Sequence, residues 1–430
     1  EIQPLHHPPD TSVAVPGSKS DTNRALVIAA LADGPTCLQK ALFSDDTRYM
    51  SEALRRLGFA VEANHTARTF RVEGRNGRIP ADSGDLFVGN AGTAMRFLTA
   101  YYALQEGEEI TLSGTARMHE RPIGVLVDAL ASLGAEIHYL GESGYPPLRI
   151  KGEKLMGGEV QLNSGVSSQF ISALMMIGPA LHKGLVLHMT GFSVSAPYIY
   201  LTANLMRRLG FQVSIDGERI RINAYVPQRP LRFQVEPDWS SASYWFLIGL
   251  LAQKTEIYLP GFRDYSLQGD AFVSGLFQPL GLVSHYIGSG FRLKKGERDT
   301  RDFFEISLIH NPDLAQTLAV AFAALNIGVR IKGLQTLRIK ETDRLLALQT
   351  ELQKTGAEIE IGDDYLQIHK GIQHLQGVVF KTWGDHRMAM SFAPLALMHP
   401  IGIEDPGVVN KSYTSFWKDL ERVGFKLRYN

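Results

Sequence analysis

Basic side chains recur in this sequence beside hydroxyls, amides and glycines, at points where an apolar helix is about to begin. Pro16-Gly17-Ser18-Lys19-Ser20-Asp21-Thr22-Asn23-Arg24 leads into an Ala/Leu-rich helical run over 25–32. Lys19, two hydroxyls and Arg24 at a helix start suit phosphate or carboxylate, because open backbone N–H groups gather there and the cations add charge. A capped helix with a solvated lysine is the plainer alternative. The stretch lacks the Gly-x-x-x-x-Gly-Lys-Ser/Thr spacing, so nucleoside triphosphate binding is not expected. Gly89-Asn90-Ala91-Gly92-Thr93 stands between an apolar strand at 86–88 and a helix over 94–102. Gly92 would let the backbone approach a ligand closely, unless the turn is simply tight. Arg121, next to Pro122 at another helix start, is a candidate anion clamp, whereas Arg117 reads as solvated. Ser167-Ser168-Gln169 opens the helix FISALMMIGPAL, as caps or as groups that read a ligand's oxygens. Ser195-Ala196-Pro197-Tyr198 repeats the theme more weakly.

The second half adds carboxylates. Pro312-Asp313 precedes a helix over 314–325, where Asp313 is a cap or a base. Arg338-Ile339-Lys340-Glu341-Thr342-Asp343-Arg344 places five charged residues in seven. A solvated face is the usual meaning of such a run, but this one falls between an apolar strand and a helix start, where ligand loops lie. Asp385-His386-Arg387 begins the helix 388–397, and Lys411 follows Asp405-Pro406 in a loop. No His-x-x-His or His-Glu-x-x-His pattern and no Gly-x-Ser-x-Gly elbow occurs, so neither a metal nor a serine nucleophile is expected. The chemistry implied is that of an enzyme holding small, multiply anionic substrates among lysines and arginines.

The elements that must position these groups show a weak internal repeat. A helix-like stretch ends near leucine and glycine, and an apolar run follows: LRRLGFAV, LASLGAEI, LMRRLGFQV, LFQPLGLV, LQKTGAEI and LERVGFKL. Gly58, Gly134, Gly210, Gly281, Gly356 and Gly424 are expected at the left-handed position that ends a helix, each followed by a strand. Their spacing of roughly 70 residues suits a small α/β unit rather than a solenoid repeat. Six units divide into two domains of three, with a proline-rich boundary near 227–237. Each trio could close around a shared helical core, with helix N-termini available to anions.

At 430 residues the chain exceeds one ordinary core, and 44% hydrophobic with 20% charged residues is ordinary for a packed protein. Lys+Arg and Asp+Glu are equal at 44 each. A nucleic-acid partner is therefore not expected, and any basic cluster must be local. A single cysteine, Cys37, rules out an intrachain disulfide and fits a reducing compartment. No apolar run approaches the ~20 residues of a membrane span. Residues 1–9 carry no apolar leader, and the missing initial Met suggests trimming. The expected location is the cytoplasm.

Taken in order, these motifs resemble one family, the 5-enolpyruvylshikimate-3-phosphate synthases, the enolpyruvyl transferases of the shikimate pathway. The resemblance rests on PGSKS with NRA, GNAGTAMR, RPIG, SSQF, the Asp238–Tyr244 stretch DWSSASY, PD, RIKETDRL, DHRMAM and the final DP with Lys411. It implies an inside-out α/β barrel fold of two domains, each of three βαβαββ units. The first domain would comprise 1–17 and 236–430 and the second 18–235, with the active site in the cleft between them. Closure of the domains would keep water from the reaction. The implied reaction transfers the enolpyruvyl group of phosphoenolpyruvate to the 5-hydroxyl of shikimate 3-phosphate and releases phosphate, without a cofactor or metal and in a monomer.

By the same resemblance, Lys19, Ser20, Arg24, Ser167, Ser168, Gln169, Ser195, Tyr198, Asp313 and Lys340 would hold shikimate 3-phosphate. Lys19, Gly92, Arg121, Gln169, Arg344, Arg387 and Lys411 would hold phosphoenolpyruvate. Asp313 would take the hydroxyl proton and Glu341 would protonate the methylene carbon, with Lys19 between the two ligands; the carboxylate roles could be exchanged, and Lys19 or Lys340 could relay protons. Some positions depart from the family pattern: Asp21-Thr22, Phe97 where proline is usual, Thr336 in place of an asparagine, and SLIHNPD over 307–313. These bear on substrate affinity. A UDP-N-acetylglucosamine enolpyruvyl transferase, or a non-catalytic binder on the same fold, is the competing expectation; the former usually carries a mobile-loop cysteine, and Cys37 lies elsewhere.

Overall fold

The structure is a computed structural model, describing residues 1–3, 11–78, 84–163, 165, 167–191, 195–228 and 230–429. Most of the stretch read for a leader (4–9 of 1–9) and Arg229 of the proline-rich boundary lie outside these residues. The chain forms two compact units, one of Glu1–Pro16 with Pro237–Asn430 and one of Gly17–Glu236.

In the Gly17–Glu236 unit, three helices are almost wholly buried: Lys19–Leu31, Gly92–Tyr102 and Ser168–Ile177. All three pairs of them touch, so they form one shared core. Their sequences allow this because apolar and small residues surround each helix rather than forming a single stripe. Around them stand three four-stranded sheets of one pattern. Gly84–Phe87 runs parallel to Glu109–Ser113, which pairs antiparallel with Leu148–Lys151, and that strand pairs antiparallel with Glu136–Tyr139. Gly158–Asn163, Leu185–Thr190, Arg219–Ile222 and Val213–Asp216 repeat the order. In the remaining sheet the parallel partner of Asp33–Gln39 is Leu231–Gln234, from the far end of the unit. A parallel pair cannot be joined by a tight turn. In the first two of these sheets the crossover that joins it is the inner helix.

The Glu1–Pro16 and Pro237–Asn430 unit repeats the design. Helices Trp239–Leu251, Ala315–Leu325 and His386–Phe392 pack against one another as its core. Strand Thr11–Ser12 supplies the parallel partner of Glu256–Pro260. The last sheet is reduced to two short pairs, Val379–Phe380 with Gly402–Ile403 and Ile2–Gln3 with Lys426–Leu427, joined by an Ile2–Ile401 bridge. The expected mixed α/β repeat architecture is therefore present, with helices inside and sheets outside. Each of the six repeat glycines has a positive φ, between 77° and 108°. Strands begin within a few residues of each, at Val61, Glu136, Val213, Leu282, Glu358 and Lys426.

Asp313 does not cap a helix. Pro312–Leu314 is a 3-10 turn that runs into Ala315–Leu325, and the Asp313 carboxylate is left for other partners. Lys411 likewise ends a 3-10 turn, Pro406–Lys411, rather than standing in a loop.

Candidate active site

Each inner helix follows a strand or a short 3-10 turn, and many of the residues singled out cluster around those junctions. In the Gly17–Glu236 unit, Ser18 caps the first helix by accepting from the Asp21 amide at 3.2 Å. Lys19 then projects from the first turn, where its Nζ lies 3.3 Å from the buried Asp46. Arg24 is 2% exposed. Its Nε donates to Thr202 at 2.7 Å and its two Nη atoms donate to Ser172 and to the Ser20 carbonyl, both at 3.2 Å. The rings of Phe97 and Tyr198 face the guanidinium at 5.3 and 5.7 Å. Burial lowers the Arg24 pKa to about 10, even with Asp21 and Tyr198 acting the other way. Arg24 therefore ties together helices of all three repeats. Phe97, one of the departures, is a wall of that pocket.

The Ser167 hydroxyl accepts from the Gln169 amide at 3.3 Å, so its capping role is realised. The Gln169 side chain donates to Thr93 at 3.3 Å, joining the second and third inner helices. Ser168 is buried in the first turn of the same helix. Ser195 adopts a left-handed conformation, φ 58° and ψ 35°, at the start of Ala196–Arg208, and Tyr198 follows in its first turn. Arg121 packs on the glycine loop, donating to the Asn90 carbonyl at 3.2 Å and its side-chain oxygen at 3.1 Å. A Cβ on Gly92 would lie 2.3 Å from the Arg121 guanidinium, so glycine is required for this approach. Arg96 joins the two segments by donating to the Gly92 and Pro122 carbonyls.

In the Pro237–Asn430 unit the scattered charges converge. Arg344, 1% exposed, donates to Asp313 at 2.8 Å, Glu341 at 2.9 Å and Asp385 at 2.6 Å. Asp313 also pairs with Arg387 at 2.9 Å and Lys340 at 3.5 Å, and Glu341 pairs with Lys411 at 3.2 Å. Among the described residues, four cations thus pair with three carboxylates. Local chemistry supplies the precision: Asp343 caps Arg344–Gln353 through the amides of Leu345 and Leu346, and Asp385 caps His386–Phe392 through the Arg387 amide. His386 is buried beside Asp385, at 3.5 Å.

Burial alone would push the Asp313 carboxyl up, but Arg387, Lys340 and Arg344 together hold it well below the usual carboxylate range. The Lys340 ammonium is pulled down by burial, with Asp313 opposing. Burial also works against the Arg344 charge, yet Asp385, Glu341 and Asp313 bind its proton more tightly than usual. An anionic ligand here would replace carboxylates as the partner of the cations. The arrangement can therefore exchange internal ion pairs for ligand ion pairs while freeing an acid or a base.

Most of the residues singled out in the sequence lie at helix starts or in the turns beside them, whereas Arg24 stands one turn into its helix and Lys411 ends a 3-10 turn. Within this unit Asp313, Lys340, Glu341, Arg344, Arg387 and Lys411 form one network. In the other, Gly92 and Arg121 are neighbours, and Arg24 packs with Ser20 and Tyr198. Sequence reading missed Asp46, Thr202, Ser172, Arg96 and Asp385 as partners. The Ser168–Ser172 spacing of four on one helix was a usable signal; Asp46 and Thr202 offered none, because their relevance arises only from packing across repeats. Of the other departures, Thr22 is absorbed locally, receiving the Leu42 amide at 3.1 Å. The Thr336 hydroxyl is buried with no hydrogen-bond partner among the described residues.

The model of the family described as EPSP synthase (3-phosphoshikimate 1-carboxyvinyltransferase) matches residues 7–420. A 3-phosphoshikimate 1-carboxyvinyltransferase of Bacteroides fragilis is 43% identical over 424 residues, covering 97% of this chain and 96% of that protein. The Marinomonas protein of the same name is 40% identical, covering 94% and 95%. Among solved structures, EPSP synthase from Acinetobacter baumannii superposes with a TM-score of 0.78 at 23% identity, covering 100% of this chain and 99% of that one. The enolpyruvyl transferase NikO from Streptomyces tendae gives 0.77 at 16% identity, covering 100% and 98%. These two likenesses bear on the fold. The match along the chain and the identity to curated relatives show that this chain belongs to the EPSP synthase family.

Proposed function

We propose that the cation–carboxylate network on the Pro237–Asn430 unit is the proton-transfer and donor-binding machinery of this enzyme. As a 3-phosphoshikimate 1-carboxyvinyltransferase, the enzyme transfers the enolpyruvyl group of phosphoenolpyruvate to the 5-hydroxyl of shikimate 3-phosphate, a step of the shikimate pathway that supplies the aromatic amino acids. The observation that carries the residue assignment is the convergence of Asp313 and Glu341 with Lys340, Arg344, Arg387 and Lys411. Addition requires the hydroxyl oxygen to attack C2 of the enol while its proton leaves and a proton reaches C3. Elimination then removes a proton from the new methyl group as phosphate departs.

Asp313 takes the hydroxyl proton and Glu341 delivers and later recovers the methyl proton. Arg344, Arg387 and Lys411, with Arg121, Gly92, Gln169 and Lys19, hold phosphoenolpyruvate. Ser20, Arg24, Ser167, Ser168, Gln169, Ser195 and Tyr198 hold shikimate 3-phosphate, assisted by Lys19, Lys340 and Asp313. Two adjacent anions repel, so concentrated positive charge is a requirement of the chemistry rather than a surface accident. The division of the chain follows the family architecture, with one domain of 1–17 and 236–430 and the other of 18–235.

Phosphate release from phosphoenolpyruvate tests the reading. Release dependent on shikimate 3-phosphate is expected, and none with UDP-N-acetylglucosamine. Tight shikimate 3-phosphate binding without turnover would instead mark a non-catalytic binder. We further read the protein as a cytoplasmic monomer. No helix among the described residues is long and apolar enough to cross a membrane, and Cys37 is a free thiol. Analytical ultracentrifugation checks the oligomeric state.

A further inference from the structure

Asp270 lies outside every motif discussed so far. It sits in the 3-10 turn Gly269–Phe272, which follows the sheet strand Glu256–Pro260, and it is 2% exposed. Its Oδ2 accepts a hydrogen bond from the Ser240 hydroxyl. Its Oδ1 is buried with no hydrogen-bond partner among the described residues. Among the described residues, no ion pair reaches it within salt-bridge distance. A buried carboxyl held by one hydroxyl is costly, and such groups persist where they serve something else.

What Ser240 does next shows the beneficiary. Its Oγ lies 3.4 Å from Arg387 Nη2, the same nitrogen that donates to Asp313 at 2.9 Å. The hydroxyl proton is committed to Asp270, so the oxygen lone pair is turned toward the guanidinium. The Tyr244 hydroxyl lies 3.4 Å from the other Arg387 Nη. We propose that Asp270 is a positioning residue for Arg387, acting through the Ser240 hydroxyl. The inference rests on the reading of Arg387 as a phosphoenolpyruvate contact. On that reading, Asp313 must give up Arg387 when the donor arrives, and the Asp270–Ser240 relay is the part of its surroundings that stays and keeps the guanidinium aimed.

Burial pushes the Asp270 carboxyl up to about 7, with Asp313 and Asp238 adding to the effect and Arg387 and Ser240 opposing it. A raised carboxyl contributes stability below the unfolded value near 4, and that contribution is lost as pH rises through 7. The residue should therefore weaken the fold at pH 8 while serving substrate binding. A merely structural residue has the opposite signature.

The test compares Asp270→Asn, Ser240→Ala, Ser240→Thr and Arg387→Ala in the full-length enzyme, with phosphoenolpyruvate as the probe. Asp270→Asn and Ser240→Ala are each expected to raise KM for phosphoenolpyruvate about ten-fold, with kcat and KM for shikimate 3-phosphate within about two-fold of wild type. The double variant should be no worse than either single one, because both break the same relay. Ser240→Thr, which keeps the hydroxyl, should recover most of the affinity. Asp270→Asn should also show a Tm above wild type at pH 8, with the gap closing toward pH 5. Unchanged KM in both relay variants, additive effects, or a lowered Tm with uniform loss of activity would overturn the proposal. Arg387→Ala separates the two levels. If it leaves phosphoenolpyruvate binding intact, the underlying reading of Arg387 fails; if it alone weakens binding, the relay fails. Should Asp270→Asn not fold, Ser240→Ala with its Thr rescue decides the matter.

Discussion

Arg344 donates to Asp313 at 2.8 Å, so the guanidinium proposed to hold the donor and the carboxylate proposed as the base are direct partners. On the proposed reading, relief of this pairing is what lets so acidic a carboxylate take a proton. Once a ligand anion takes over the positive charge of Arg344 and Arg387, the Asp313 carboxyl is expected to titrate higher. Carboxyl NMR titration with and without phosphoenolpyruvate checks this, and an unmoved Asp313 signal would count against it.

Glu341→Gln keeps the shape of the side chain, while its single amide oxygen can accept from only one of Arg344 and Lys411. If Glu341 moves the methyl proton, kcat should fall by about 10²–10⁴ while KM for either substrate changes little. Steady-state kinetics decides this, together with loss of solvent-deuterium incorporation into the methylene group.

Gly92→Ala places a methyl group against the movable end of Arg121, not against backbone. The fold should survive, and the clamp should shift. KM for phosphoenolpyruvate is expected to rise about ten-fold or more, equivalent to ~1.4 kcal/mol, with Tm nearly unchanged. Equal binding in calorimetry would show that Arg121 does not contact the donor.

Thr202→Val removes the acceptor of the Arg24 Nε bond without changing volume appreciably. A hydrogen bond to a buried charged group contributes about 1.5–3 kcal/mol. If Arg24 holds the sugar phosphate, affinity for shikimate 3-phosphate should drop about ten-fold, while that for phosphoenolpyruvate should not. Calorimetry with each ligand separates the two.

Acid stability offers a check that needs no substrate. Because Asp313 is held low in the folded protein, it stabilises the fold above the unfolded carboxyl value near 3.9, and that contribution is lost as pH falls below it. Asp313→Asn should be less stable than wild type at pH 7 and should lose less stability between about pH 5 and 2. Differential scanning calorimetry across that range reads both slopes.

The sequence by itself determined much of this protein. Local rules are enough to place Gly58 and its five counterparts at helix ends, since a left-handed residue must stand there. The same locality made Lys19, Gly92, Ser167, Arg344 and Arg387 visible, because anion chemistry favours helix starts and those starts are written in short motifs. The tertiary structure decided which of these groups meet. Arg344 touches Asp385, 41 positions away, and Arg24 touches Thr202, 178 positions away, because packing brings helices of different repeats together. It also decided that Asp313 is a partner of three cations rather than a cap, and that Asp270, unmarked by any motif, lies behind Arg387. Charge and burial at one point are sums over the whole unit, and no window of sequence contains them.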